Sequence, residues 1–243
     1  MQQYGAPDKA HVPVFAQRVN DLLAPALAGP APVCVDATLG AGGHTASLLD
    51  ANPRLTVIGI DRDPDALELA TKRLEHFGDR FKPVRAVYDE VGTVLAEAGV
   101  EAIAGALFDL GVSSMQLDVA SRGFAYSRDA PLDMRMDQSQ GVTAADVVND
   151  YDERDLSRIL RVYGEERFAP RIARSIVAQR KRSRIDSSLQ LADLVRDAVP
   201  AATRRRGGNP SKRTFQALRI AVNSELDVLR QALPRAVDAL EPD

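Results

Sequence analysis

The chain has 243 residues, 45% hydrophobic and 27% charged, proportions ordinary for a globular protein that buries a sizeable core. No apolar run approaches the roughly 20 residues that span a bilayer, and the opening MQQYGAPDKAHVPVF lacks the basic start and apolar core of a secretory signal. The net charge of −3 conceals an asymmetry: between Arg167 and Arg213 thirteen Lys or Arg stand against three Asp or Glu, a local +10 on a body of −13. That points to a polyanionic partner at one face, a solvated helical surface being the plainer alternative.

Val33–Ala37 is short, apolar and β-branched, and reads as a strand. Cys34, the single cysteine, lies in it and suits a reducing cytoplasm. A loop with Gly40, Ala41, Gly42 and Gly43 follows, then a helix from about Thr45 to Ala51. Leu55–Ile60 repeats the strand pattern and ends in Asp61. Pro64 can open a helix, with Ala66, Leu67, Leu69, Ala70 and Leu74 at helical spacing. Phe81–Tyr88 reads as a third strand, Glu90 to Ala98 as a helix and Ile103–Leu110 as a fourth strand. This alternation implies parallel strands with helical crossovers, an α/β doubly wound sheet.

The pattern then changes. Met115 to Gly141 has no clear period and exceeds an ordinary connection, while its Arg, Asp, Met and aromatic content argues for an ordered role. Beyond it, Asp152 with Asp155 marks a helix start and Gly164 a stop. Further helices are expected from Glu166 to Lys181 (starting or kinking at Pro170), Leu189 to Ala198 and Thr214 to Leu233, with a basic loop at Arg204–Arg213. The organisation expected is an α/β domain over 1–114, an active-site loop over 115–141, a helical insertion over 142–212, and a helix over 213–243 that returns to the α/β domain.

Ligands of such sheets sit beyond the carboxyl ends of the strands, near the point where strand order reverses. Glycines after the first strand let backbone N–H groups approach a ligand, although the same loop alone is equally a tight strand–helix turn. Asp61 ends the second strand about 20 residues later, where a carboxylate accepts hydrogen bonds from ribose hydroxyls. A nicotinamide-dependent oxidoreductase shares this logic, but its third glycine would fall on Thr45. Asp36, before the loop, fits the amino-acid tail of S-adenosylmethionine better. Asp63 is either a second ribose ligand or a helix cap. Asp109 ends the fourth strand, where it faces the same cleft or merely forms a turn.

With these residues placed, the chain resembles the bacterial small-subunit ribosomal RNA methyltransferases that modify the exocyclic N4 of a cytidine in the decoding centre of 16S ribosomal RNA. The matching stretches are HVPV (His11–Val14), DATLGAGGH (Asp36–His44), GIDRDP (Gly59–Pro64), DLGVSSMQLD (Asp109–Asp118), RGFAY (Arg122–Tyr126), PLDMRMD (Pro131–Asp137), YGEERFAPRIARSIV (Tyr163–Val177) and RTFQALRIAVNSEL (Arg213–Leu226). The resemblance implies a class I, Rossmann-like S-adenosylmethionine-dependent fold with a helical insertion. It puts cofactor contacts on Gly42, Gly43, His44, Asp61, Tyr88, Asp109 and Gln116, and assigns no residue to a metal. Tyr88 stands where Phe is usual beside the adenine, and Met115 where Pro is usual. The family continues past Leu240 with further strands, so a sheet incomplete at the C-terminal side is expected, with an edge left bare beside the fourth strand.

The implied reaction aligns an amine, a methyl carbon and a sulfonium sulfur, with Asp109 accepting from the amine directly or by organising the loop through Ser114. Methylation at cytosine C5 would need a nucleophilic cysteine, and Cys34, inside a strand, points away from any substrate. Arg180, Lys181, Arg182, Arg204, Arg205, Arg206, Lys212 and Arg213 are the expected phosphate contacts. Arg122, Phe124 and Asp133 either close over an extruded base or brace the structure. The expected partner is 16S ribosomal RNA in the small ribosomal subunit, the chain being a monomer or homodimer. A non-catalytic RNA-binding or ribosome-assembly module is the competing reading.

Overall fold

A computed structural model describes residues 13–201 and 209–242. Two compact units emerge, one from the residues up to Leu110 together with those from Val228 onward, the other from Gly111 to Asp227. The boundaries therefore fall at 110 and 228 rather than at 114 and 213. The helix expected to return the chain to the sheet at 213 instead packs within the second unit, where Gly164 lies against Arg213 and Ala217.

The first unit is built on four parallel strands in the order β3-β2-β1-β4: β1 (Val33–Asp36), β2 (Thr56–Asp61), β3 (Phe81–Arg85) and β4 (Gly105–Leu107). Val33 pairs with Thr56, Cys34 with Gly105 and Val57 with Phe81. β1 and β2 are covered on both faces, which is why they read as continuous apolar runs rather than alternating ones. Period-two geometry divides their side chains between two cores. Cys34 and Val57 join Leu48, Leu49, Ala70 and Leu74 from helices α2 (Gly43–Ala51) and α3 (Pro64–Leu74). Val35, Ile58 and Ile60 join Val91, Val94 and Leu95 of α4 (Val91–Glu97) on the other face. α3 begins where Pro64 predicts, with Pro in its first turn and Asp63 capping the Asp65 N–H at 3.1 Å. Asp63 is thus a buried helix cap.

Two features of this unit depart from the sequence reading. α1 (Ala16–Leu23) was not expected, although Ala16, Val19 and Leu23 recur at helical spacing; it is short and none of its residues is fully buried. β4 is shorter than Ile103–Leu110. Along its edge away from β1, Ile103 donates to the Ala239 carbonyl and accepts from Glu241 N–H, both at 2.9 Å, so residues 239–241 form one parallel rung where a bare edge was expected.

The second unit is helical: α5 (Ser114–Asp118), α6 (Ala144–Asp150), α7 (Glu153–Gly164), α8 (Ala169–Arg180), α9 (Ser188–Ala198), α10 (Ser211–Asn223) and the first turn of α11 (Glu225–Asp238). Ser113 with Gln116, Thr143 with Asp146 and Ser187 with Gln190 form reciprocal capping boxes. Leu156, Ile159, Leu160, Ile172, Ile176, Leu191, Val195, Phe215 and Leu218 make one core. Pro170 sits in the first turn of α8, where its missing N–H costs nothing. The single helix expected over Thr214–Leu233 is two, because Ser224 adopts φ 51°. A Cβ on Gly164 would come within 2.5 Å of the Arg213 carbonyl, so that helix stop also permits α7 and α10 to approach closely.

Segment 122–143 belongs to this core. Phe124, Leu132 and Met134 are buried in it. The Arg122 guanidinium donates to the carbonyls of Met136 (2.7 Å) and Arg135 (3.3 Å). Asn223 donates to the Met134 carbonyl and accepts from Met136 N–H, each at 2.8 Å. Asp133 holds Arg135 in a two-point ion pair at 2.8 and 2.9 Å. Burial pushes the Asp133 carboxyl up, but its bonds to Arg135 outweigh that and hold it below the usual carboxylate range. Of the two roles open for Arg122, Phe124 and Asp133, these contacts are those of a brace.

Candidate cofactor site at the carboxyl ends of the strands

Parallel strands place their carboxyl ends along one edge, and in the first unit that edge carries Asp36 and Asp61 at the ends of β1 and β2, with Tyr88 and Asp109 shortly beyond β3 and β4. The loop after β1 turns tightly: Leu39 N–H bonds to the Ile60 carbonyl at 3.0 Å and Gly42 N–H to the Leu39 carbonyl at 2.8 Å. Gly42 combines φ 74° with a backbone so close to α3 that a Cβ would meet Leu74 at 2.7 Å. At Gly43 a Cβ would meet Pro13 at 2.7 Å.

Asp61 is fixed by this loop. Its Oδ2 accepts from Gly40 N–H at 2.8 Å and its Oδ1 from Asp63 N–H at 2.9 Å. Each carboxylate oxygen has a second lone pair, so the group can still accept from a diol. Burial pushes the Asp61 carboxyl above the ordinary carboxylate range, against the opposing effect of those two N–H groups. Asp36 is different: its Oδ2 accepts from Thr45 Oγ1 at 2.7 Å and its Oδ1 from Thr38 N–H at 3.2 Å, and it is 1% exposed. Burial, only partly offset by those bonds, pushes Asp36 up to about 6. Its two oxygens hold the loop from inside, which is not the ligand-facing role its position suggested.

Asp109 stands in the open, its side chain 56% exposed. Its N–H donates to Thr38 Oγ1 at 2.6 Å, and its Oδ2 lies 3.5 Å from His44 Nε2. His44 is buried at the start of α2, and its Nδ1 has no hydrogen-bond partner. Tyr88 is half-buried and meets Phe108 edge to face, ring centres 5.8 Å apart. Gly42, Gly43, His44, Asp61, Tyr88 and Asp109 therefore all belong to the first unit. Thr38 was missed: its partner Asp109 lies 71 residues away, and no local pattern marks such a bond.

Ser114 and Gln116 belong to the second unit. Gln116 is buried and closes the α5 capping box with Ser113; the Ser114 side chain lies outside what the structure describes. The basic residues of this unit divide. Arg180 donates to the carbonyls of Val148 (2.9 Å) and Tyr151 (2.5 Å) at the end of α6. Arg213 donates to the Glu165 carbonyl at 2.9 Å, beyond the end of α7. Lys181, Arg182 and Lys212 are exposed, and Arg204, Arg205 and Arg206 lie outside the described residues.

A glycine loop after the first strand and a clamped carboxylate ending the second, on an open parallel sheet, define a Rossmann-like α/β protein whose ligand-binding edge suits an adenosine-bearing cofactor. The chain belongs to the MraW methylase family, whose sequence profile matches residues 8–243. It is 60% identical over 233 residues to the ribosomal RNA small subunit methyltransferase H of Parafrankia sp. (strain EAN1pec), covering 96% of this chain and 71% of that protein. The protein of the same name from Beutenbergia cavernae is 61% identical over 230 residues, covering 95% and 69%. That from Thermobifida fusca (strain YX) is 58% identical over 239 residues, covering 98% and 72%. Among the described residues no helix is long and apolar enough to cross a membrane.

Proposed function

We propose that the protein methylates the exocyclic N4 of a cytidine in 16S ribosomal RNA, using S-adenosylmethionine held by the strand-end site of the first unit. The observation that carries this reading is the clamp on Asp61: a loop glycine and the following turn fix both oxygens and leave lone pairs for a ribose diol. Gly42 and Gly43 keep the loop free of side chains, Tyr88 offers a ring beside the adenine, and Asp109 and His44 flank the remaining space. The cofactor, when bound, supplies an electrophilic methyl group on a sulfonium. Asp109 is the exposed acceptor that takes a hydrogen bond from the target amine, orienting it and helping to localise its lone pair. Nitrogen or oxygen, rather than C5, is the acceptor, because Cys34 is buried in β1, with burial and then the Asp36 charge holding its thiol up at about 12. A thiol so held is a poor nucleophile for the attack that C5 methylation needs.

The family relationship and the names of the relatives support the RNA substrate, and the exposed Lys181, Arg182 and Lys212 fit phosphate contact in a small subunit. The test is calorimetric titration with S-adenosylmethionine, followed by transfer of labelled methyl to small-subunit RNA and nucleoside analysis. One-site binding and label in N4-methylcytidine are expected. Label at C5 or a ribose oxygen would overturn the acceptor assignment. RNA binding with no transfer would favour the non-catalytic module.

A further inference from the structure

Asp109 is exposed, yet it is not free to wander. Two residues, one in the loop after β1 and one at the start of α2, reach it: Thr38 Oγ1 accepts from its backbone N–H at 2.6 Å, and His44 Nε2 stands 3.5 Å from its Oδ2. Both trace back to one buried group, since Asp36 takes the Thr38 N–H on one oxygen and the hydroxyl of Thr45, the neighbour of His44, on the other. The contacts close a circuit running Asp36, Thr38, Asp109, His44, Thr45 and back to Asp36. Nε2 is the ring nitrogen that faces the carboxylate, and the buried Nδ1 has no hydrogen-bond partner.

We propose that His44 and Thr38 are positioning residues that aim the Asp109 carboxylate, with Asp36 as the buried post to which both are tied. The inference rests on the reading of Asp109 as acceptor for the target amine, and it makes the cofactor loop and the methyl-accepting side of the site one mechanical piece. His44 then acts through Asp109 rather than on the cofactor alone.

The imidazole nitrogens report the arrangement directly. In ¹⁵N-detected NMR of the full chain, His44 is assigned by loss of its signals in His44→Gln, and His76 serves as an internal reference for the fold. The wild type is expected to show one His44 tautomer with the proton on Nε2. Asp109→Ala should convert it to a tautomer mixture while His76 is unmoved, and Asp109→Asn, which keeps the shape, serves if the alanine variant does not fold. Identical His44 nitrogen shifts with and without the Asp109 carboxylate would overturn the proposal. In methyl transfer to small-subunit RNA, His44→Ala should lower kcat by about 10²-fold, over and above any change in KM for the cofactor. His44→Gln, which can still donate from a similar point, should recover most of that loss. Equal losses in the two variants, or a change in KM alone, would overturn it. Absence of cofactor binding by the wild type would instead defeat the proposed function, and the NMR result would stand apart from it.

Discussion

The loop after β1 and segment 122–143 both lack regular structure, and they are held in opposite ways. The β1 loop is anchored by two buried groups, Asp36 and the inner side of Asp61, while Asp109 stays exposed and His44 Nδ1 stays without a partner. In segment 122–143, Arg122, Asp133 and Arg135 turn polar atoms onto neighbouring backbone or onto one another, and Asn223 of α10 bonds to its backbone. Irregular backbone whose side chains bond mostly inward, onto carbonyls and one another, is architecture. Irregular backbone that is rigid yet keeps donors and acceptors in reserve is a binding site.

Asn223→Ala should break the braced segment with the largest effect. It leaves the Met136 N–H and Met134 carbonyl without partners in a buried environment, a loss of about 4 kcal/mol in urea unfolding. Cofactor affinity per folded molecule should hardly change. A large loss of affinity at constant stability would mean that the segment is part of the site.

Asp36 tests the other region through pH. Its folded value is raised from 3.8 to about 6, so its contribution to stability is fully present below pH 4 and is lost as pH rises through 6. Asp36→Asn imitates the protonated form. It should therefore be more stable than wild type at pH 7.5, by about 3 kcal/mol at most, with the difference vanishing toward pH 4. A variant less stable than wild type at pH 7.5 would show that the charged carboxylate, rather than its hydrogen bonds, holds the loop.

The sheet was legible because its signals are local. Val33–Val35 and Thr56–Ile60 are β-branched runs, and Asp63-Pro64 announces a helix start. Strand-end position then picked out Asp61 and Asp109, while the family's motifs picked out His44. The misses share a physical origin. α6 spans only seven residues, although Thr143 and Asp146 spelled its capping box. The break at Ser224 carries no Gly or Pro, although its backbone is left-handed at φ 51°. Charge in a sequence likewise does not tell that Arg180, expected as a phosphate contact, also holds two carbonyls through Nη1.

Asp61→Asn sharpens the contrast at smaller scale. It replaces an oxygen that accepts from a backbone N–H and is available to a diol, so S-adenosylmethionine should bind 10- to 100-fold more weakly, about 1.4–2.7 kcal/mol. Because burial already disfavours the charged carboxyl, unfolding free energy should move by less than about 1 kcal/mol. Equal affinity in the two proteins would remove Asp61 from the cofactor site.

The smallest effects separate two neighbours in sequence. Arg180 holds the Val148 and Tyr151 carbonyls, whereas the adjacent Lys181 is exposed. Arg180→Ala should cost about 1 kcal/mol of stability by leaving the end of α6 without its donor. Lys181→Ala should leave stability within 0.5 kcal/mol or so but lower the salt dependence of RNA binding by about 0.7–0.9 in the log–log slope, the value of one phosphate contact. Should the two changes exchange roles, with Arg180 moving the slope and Lys181 the stability, satisfied hydrogen bonds would no longer mark the brace, nor unsatisfied ones the binding surface. Two adjacent cations, measured in the same pair of assays, decide whether that rule extends from the strand ends to the basic face.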